Sequence, residues 1–254
     1  LKARLMIELK HLRKTFNRSS SDPVRALDDV SLAISNSEFV ILIGANGSGK
    51  STLLNALAGT IEVDGGNILI DGIDITSLKE FDRSRWIARI FQNPLMGTAP
   101  ELTILENFRL ASLRTQPKKF QIGTGDKFKL QVKEKIALLN LGLENKLDQP
   151  MGTLSGGQRQ ALTLLMAIMD ETKILLMDEP TAALDPRTSA LILQLADKII
   201  KEFKLTVLFV THQLKDALQY GNRIILMEEG KIKKDLKNES KAAIALTELY
   251  QWFE

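Results

Sequence analysis

Three groups of residues in this chain have the types and spacing that chemistry on a phosphate requires. The first is a glycine-rich stretch after an apolar run: Gly44, Ala45, Asn46, Gly47, Ser48, Gly49, Lys50, Ser51 and Thr52. Glycines let the backbone wrap around a polyphosphate, and the N–H groups of the loop and of the next helix point at the anion. Lys50 adds a full charge, the Ser51 hydroxyl can ligate Mg²⁺, and Thr52 can bond a phosphate. This stretch predicts a nucleoside triphosphate site.

The second group is a pair of carboxylates, Asp178 and Glu179, at the end of the apolar run 173–177. Two adjacent carboxylates at the end of a buried strand need a cation, and Asp178 can reach Mg²⁺ directly or through water. Glu179, one residue further, can act as general base or orient the attacking water. The pair therefore fits the second half of the same site.

The third group is Ser155, Gly156, Gly157 and Gln158, which follow Leu154 and precede the helical run 159–169. Ser155 can cap this helix, and the exposed N–H groups of its first turn can bind an anion. Two interpretations stay open at this point: a simple helix cap, or a second phosphate-binding element that serves the nucleotide of a second copy of the chain.

The elements that must position these groups follow from the apolar pattern. Short apolar runs at 39–43, 173–178 and 205–210 alternate with helical segments, which indicates an α/β fold with a mainly parallel sheet. The runs 6–16 and 24–34 predict a small N-terminal antiparallel β layer. The pattern from about residue 100 to 170 turns helical, with apolar residues at helical spacing over 102–113 and 128–141. The tail is predicted as one helix with an apolar stripe facing its own domain: Ala242, Leu246, Leu249 and Phe253. A dimer contact is the less favoured interpretation of this tail.

Three further side chains stand where strands end. Phe16 either stacks on a nucleotide base or packs in the core. Gln92 and His212 follow apolar runs, and the carboxyl edge of a parallel sheet is where α/β folds bind ligands. All three are therefore candidates for contact with the nucleotide.

Composition excludes several classes of protein. The 254 residues are 44% hydrophobic and carry a formal net charge of +3, so the surface charge is nearly balanced and nucleic acid is not an expected partner. The absence of cysteine excludes disulfides and thiolate metal sites. No run approaches the roughly 18 apolar residues of a membrane span. The Lys-rich run 118–135 is best interpreted as a solvated face, with contact to lipid or a partner as the alternative.

Taken in order, these motifs resemble those of ATP-binding cassette (ABC) ATPases, the nucleotide-binding subunits of membrane transporters. The resemblance runs from about Met6 to Leu236. It covers the Walker A loop 44–51, the Q-loop Gln92, the signature 154–158, the Walker B pair Asp178 and Glu179, the D-loop 183–185 and the switch His212.

The resemblance implies a P-loop NTPase fold with an inserted α-helical subdomain. Residues 1–254 would form a single ATPase domain. Its RecA-like core with the antiparallel layer would span 1–93 and 171–236, its helical subdomain 94–170, and its C-terminal helix 237–254.

The same resemblance implies roles for single residues. Two copies would meet head to tail and sandwich two ATP molecules. Phe16 would stack on adenine, and Ser51, Gln92 and Asp178 would hold Mg²⁺. Glu179 would be the catalytic base, assisted by His212 and Gln92. The residues that would serve the partner's nucleotide or couple the two sites are Ser155, Gly156, Gly157, Gln158 and Asp185.

The implied function is ATP hydrolysis that powers transport of a small, amino-acid-like solute, with import favoured. Implied partners are transmembrane permease subunits and an extracellular solute-binding protein, and the implied location is the cytoplasmic face of the cell membrane. The alternatives are a soluble ABC ATPase, such as one for iron–sulfur assembly, and the motor of an exporter or lipid transporter.

Overall fold

The computed structural model describes residues 5–19, 21–113, 123–170 and 172–253. They form two compact units. The first comprises Leu1–Arg83, Leu176–Glu179 and Phe203–Glu254, and the second comprises Ser84–Leu175 and Pro180–Glu202. Part of the Lys-rich run, residues 118–122, lies outside the described residues.

The elements alternate along the chain as the apolar pattern predicts. The strands are β1 Leu5–Phe16, β2 Val24–Ser35, β3 Phe39–Ile43, β4 Gly65–Ile70, β5 Ile73–Asp74, β6 Ile87–Ile90, β7 Ile174–Asp178, β8 Thr206–Val210, β9 Arg223–Glu228 and β10 Lys231–Lys237. The helices are α1 Lys50–Ala58, α2 Glu80–Arg83, α3 Ile104–Ala111, α4 Asp126–Ala137, α5 Gly156–Ala167, α6 Pro186–Phe203, α7 Leu214–Gln219, α8 Asn238–Ala243 and α9 Leu246–Gln251.

The first unit contains the predicted antiparallel layer. Its strand order is β2-β1-β4-β5, and each pair of neighbouring strands is antiparallel. In β2, Val30, Leu32 and Ile34 are buried in alternation, which is how a sheet with one face on a core is patterned, whereas shifts of register interrupt the alternation in β1. At the end of the β1–β2 pair, Phe16 lies opposite Val24.

The second sheet of the first unit has the order β10-β9-β3-β8-β7. Strand β3 runs parallel to both β8 and β9, and all residues of β3 and β8 are buried. Because parallel strands end at one edge of a sheet, the loops after β3 and β8 are brought to the same side. This confirms the predicted α/β fold with a mainly parallel sheet.

The second unit carries the predicted helical region. Strand β6 lies beside β7, and α3, α4 and α5 follow. Helix α3 starts at Thr103, whose hydroxyl accepts from the Glu106 N–H while the Glu106 carboxylate accepts from the Thr103 N–H. This reciprocal cap explains why α3 begins after the start of the predicted helical run at 102.

The C-terminal region differs from the single helix expected over 237–254. Two short helices, α8 and α9, are separated by extended backbone at Ile244 and Ala245. The Ile244 side chain at this break is buried, with an exposure of 8%. Of the predicted stripe, Leu249 is buried and Leu246 is half-buried, whereas Ala242 and Phe253 are exposed.

Within the described ranges, no helix combines the length and the apolar character that crossing a bilayer needs.

Candidate functional site

The glycine-rich loop connects β3 to α1. Gly49 precedes the first helical residue with φ 101°, and it has no side chain with which to cap the helix. A Cβ on Gly49 would stand 2.3 Å from the carbonyl oxygen of Ala26, so only glycine fits. The first N–H groups of α1 lack intrahelical partners, and they are therefore available to an anion.

Lys50 is buried inside this loop, with 5% exposure. Its Nζ donates to the carbonyl oxygens of Gly44 at 2.9 Å and Ala45 at 2.8 Å, and to the Ser48 hydroxyl at 3.3 Å. Burial lowers the pKa of Lys50, while the negative charges of Glu179 and Asp178 act to raise it. The loop thus presents a cation among backbone carbonyls, where phosphate oxygens can compete for it.

The neighbouring hydroxyl meets the carboxylate at the end of β7. Ser51 Oγ donates to Asp178 Oδ1 over 3.2 Å. Mg²⁺ in nucleotide sites takes one or two protein oxygens and completes its shell with phosphates and water. The described residues hold no cluster of three or more His, Asp or Glu side chains that could bind a metal alone. Ser51 and Asp178 therefore fit a metal that arrives with a nucleotide. Thr52, next along α1, is half-buried.

Glu179 and His212 form the second contact at this edge of the sheet. His212 Nε2 is in contact with Glu179 Oε1. The Glu179 backbone is left-handed, with φ 46°, and its N–H donates to the carbonyl of Val210 at 3.1 Å. Because a non-glycine residue in this conformation is strained, its position must be held by its surroundings. The side chains are 19% and 42% exposed, so a water molecule can reach the carboxylate.

Phe16 is 37% exposed, so it is not a core residue. Lys14 Nζ stands 5.4 Å from the centre of its ring. The adjacent backbone is held by Asp64, which accepts from the Thr15 N–H at 2.6 Å and pairs with Arg18. Sequence reasoning missed Asp64, because only the pairing of β1 with β4 brings it there.

The signature residues begin α5 in the second unit. Ser155 Oγ accepts from the Gln158 N–H at 3.3 Å, and Gln158 Oε1 accepts from the Ser155 N–H at 3.1 Å. A Cβ on Gly157 would stand 2.3 Å from Cγ2 of Thr188. Ser155 and Gly156 are exposed. The hydroxyl hydrogen of Ser155 stays available to a ligand, since the cap uses only the oxygen as acceptor.

Asp185 occupies the start of α6. Its Oδ1 accepts from the N–H groups of Arg187 and Thr188, both at 3.1 Å, with Pro186 as the first helical residue. These hydrogen bonds, led by one from the Thr188 side chain, lower the pKa of Asp185. The carboxylate is therefore a helix cap in this chain, whatever else it contacts.

Gln92 is exposed just after β6. The residue before it is held by α5: Gln160 Nε2 donates to the Phe91 carbonyl at 3.2 Å. Gln160 is completely buried. Sequence reasoning missed Gln160, which is one of three buried polar residues of α5, together with Arg159 and Thr163.

The predicted site residues therefore fall into two sets. The first unit brings together Lys50, Ser51, Asp178, Glu179 and His212, and it also contains Phe16 and the rest of the glycine-rich loop. The second unit contains Gln92, Asp185 and the signature, 155–158.

Comparison with known proteins gives consistent matches. A family model described as ABC transporter matches residues 27–182. A tyrosine transport ATP-binding protein of Clostridioides difficile (strain R20291) is 40% identical over 253 residues, covering 98% of this chain and 99% of that protein. The methionine import ATP-binding protein MetN 1 of Staphylococcus aureus (strain USA300) is 34% identical over 89% of this chain and 64% of its own length.

A solved structure is also similar to this chain. The dimeric, post-hydrolysis structure of the ATP-binding cassette MJ0796 bound to ADP and Pi superposes with a TM-score of 0.78 at 32% identity, covering 91% of this chain and 98% of that one.

Proposed function

This chain belongs to the ABC transporter family and is an ATPase of it, and from this premise we propose that it powers import of an amino-acid-like solute. The observation that carries the proposal is the pairing of two contacts in one unit: Ser51 with Asp178, and Glu179 with His212. The first suits metal–nucleotide binding and the second suits water activation. The match to a tyrosine transport ATP-binding protein over nearly its full length supports the solute class.

Nucleotide binding rests on the loop and on Phe16. The exposed ring can stack on adenine, and the N–H groups 47–52 can bond the β and γ phosphates. Lys50 would exchange its bonds to the Gly44 and Ala45 carbonyls for phosphate oxygens. That exchange keeps the buried ammonium paired, which a buried charge requires.

Mg²⁺ would be held by Ser51 and Asp178, with Gln92 as a further ligand, and when bound it neutralises charge on the phosphates. Asp178 and Ser51 already share a hydrogen bond, so their oxygens are positioned before the nucleotide binds.

Glu179 is proposed as the general base. It would accept a proton from water attacking the γ phosphate, and His212 would fix the direction of the carboxylate. The half-exposed His212 ring can also reach a phosphate oxygen. Most of the barrier reduction in phosphoryl transfer comes from such positioning and charge stabilisation.

Each site would be completed by a second copy arranged head to tail. The exposed corner of α5, with Ser155, Gly156, Gly157 and Gln158, would approach the γ phosphate held by the partner's loop. Asp185 would couple the two sites from the start of α6. The dimeric cassette found among similar structures supports this arrangement. Residues 1–254 would then act as one ATPase domain.

A permease would bind the helical unit. A cavity of about 380 Å³ opens there, lined in part by Ala88, Met96, Gly97, Asn107, Leu110 and Thr163. Met96 and Leu110 are 69% and 52% exposed, which suits an apolar helix from a partner. The protein would thus sit at the cytoplasmic face of the membrane, and an extracellular solute-binding protein would deliver the solute.

Glu179→Gln tests this function. The variant should bind ATP with the parent's affinity, form a stable dimer with ATP, and lose at least about a hundredfold in hydrolysis rate. Analytical ultracentrifugation and phosphate release measure both. Hydrolysis at the parent's rate would show that the base is wrongly assigned.

Co-purification then separates transport from the soluble alternatives: a multi-span membrane protein supports the proposal, and a soluble scaffold contradicts it.

A further inference from the structure

The C-terminal segment, residues 238–253, is anchored to the helix that follows the switch histidine. Lys241 is 6% exposed, and its Nζ donates to the carbonyl oxygens of Leu218 at 3.1 Å and Gly221 at 2.8 Å, and to that of Tyr220. These carbonyls lie at the end of α7, where helices leave acceptors unpaired. A buried ammonium thus caps α7, which begins two residues after His212.

Two more contacts fix the same segment. Leu249 is completely buried, and α9 packs against α7. Lys234 Nζ stands 4.4 Å from the centre of the Trp252 ring. The C-terminal segment is therefore held on α7 by the buried ammonium of Lys241 and by α9, and on β10 by the cation–π contact of Trp252 with Lys234.

Two aromatic side chains of this docked segment remain exposed. Tyr250 is 55% and Phe253 is 44% exposed. Both line a cavity of about 610 Å³, whose other walls include Ala45 and Asn46 of the phosphate loop, and His212 and Lys215 after β8. The cavity has room for several side chains.

The cavity adjoins the place where the γ phosphate would bind, because it shares the loop residues Gly44, Ala45 and Asn46 and the switch residue His212 with the proposed site. Of these, Ala45, Asn46 and His212 are exposed. In the proposed function, a second copy that delivers its signature corner to the γ phosphate would therefore approach this cavity.

The residues beside the signature corner can pack against the aromatic side chains that line the cavity. In the second unit, Leu184 packs on Gly156, at 3.3 Å from the position of a Cβ there. The preceding residues Ala182 and Ala183 are exposed and apolar. Aromatic side chains are enriched in the cores of protein interfaces, and the small side chains of Ala182 and Ala183 would not obstruct their approach.

We propose that Tyr250 and Phe253 extend the dimer interface: when two copies close on ATP, the second copy fills this cavity and packs against both rings. This inference rests on the proposed function, which supplies the second copy. The C-terminal segment then acts at two places, since it caps the switch helix inside one copy and meets the other copy beside the nucleotide.

The test is dimerisation of the Glu179→Gln protein with ATP. Adding Tyr250→Ser and Phe253→Ser should weaken the ATP-dependent dimer about tenfold or more, as interface aromatics do, while ATP affinity at monomer concentrations and the unfolding midpoint stay those of the parent. Phe81→Ser is the matched control, because Phe81 is 70% exposed and belongs to α2. It should leave the dimer unchanged.

A local probe gives a second readout. The chain has two tryptophans, so Trp86→Phe leaves Trp252, the residue before Phe253, as the one fluorophore of this kind. Its emission should shift with ATP only at protein concentrations where the dimer forms.

The outcomes separate the inference from the function on which it rests. If the Glu179→Gln parent itself stays monomeric with ATP, the proposed function fails. If the parent dimerises and the double serine variant dimerises equally well, the aromatic contact is refuted. A variant that loses ATP affinity as a monomer also refutes it, since the rings would then act within one copy.

Discussion

Helices α1 and α5 both begin at a glycine-rich corner, but they treat their first turns differently. Helix α5 caps itself through Ser155 and Gln158, whereas α1 follows Gly49, a residue with no capping side chain. The uncapped helix has a buried lysine and two carboxylates beside it. The capped helix presents an exposed hydroxyl and small residues. The start of α5 is capped by its own side chains, so it needs no ligand. The first N–H groups of α1 have no such cap, and an anion can accept hydrogen bonds from them.

In the proposed function, this difference gives the two units separate tasks. The first unit would bind the nucleotide and activate water, and the second unit would present a folded corner to the nucleotide of the other copy.

Lys50→Met should have the largest effect. It removes the charge-assisted bonds that Lys50 would make to phosphate, worth about 2 kcal/mol or more, so the dissociation constant of ATP should rise by roughly thirtyfold. Isothermal titration calorimetry measures it, with the exposed Lys79→Met as matched control. Unchanged ATP affinity would contradict the phosphate-loop assignment.

Replacing the two glycines tests the corners themselves. Gly49→Ala should cost about 2 kcal/mol of unfolding free energy, because it combines a positive φ with a backbone clash. Gly156→Ala should cost under about 1 kcal/mol, since its Cβ would meet only a Leu184 methyl group at 3.3 Å. Urea unfolding of both variants gives the comparison. Equal costs would mean that the α1 corner is no more constrained than the α5 corner.

Ser155→Ala should have a smaller effect on the isolated chain than Lys50→Met or Gly49→Ala. Loss of the cap should cost about 1 kcal/mol of unfolding free energy and leave ATP affinity unchanged. ATP hydrolysis should nevertheless fall, because in the proposed function the hydroxyl would contact the partner's nucleotide. Thr103→Ala removes the same type of cap from α3 and is the matched control. If both variants lose hydrolysis equally, the effect is one of stability and Ser155 has no role in the partner's site.

Most of the fold was predicted from local sequence patterns. The apolar run 39–43, the glycines after it and the acidic pair 178–179 each describe a strand end or a helix start, and such features depend on neighbouring residues alone. The helix caps at Ser155 and Thr103 are local for the same reason. The C-terminal region was harder, because a buried Ile244 and extended backbone interrupt a helical pattern, and burial depends on distant residues.

The sequence by itself was enough to propose the chemistry of this protein: a phosphate loop, a hydroxyl and a carboxylate that would bind a metal, a base and a switch histidine. The tertiary structure alone decided which side chains support them. These supporting side chains are Asp64, bonded next to Phe16, Gln160, bonded to the residue before Gln92, and Lys241, bonded at the end of α7. Each is far along the chain from the residue that it contacts. Such contacts arise only when strands and helices pack, because a side chain's neighbours across a sheet or a cap are set by the fold and not by its place in the sequence.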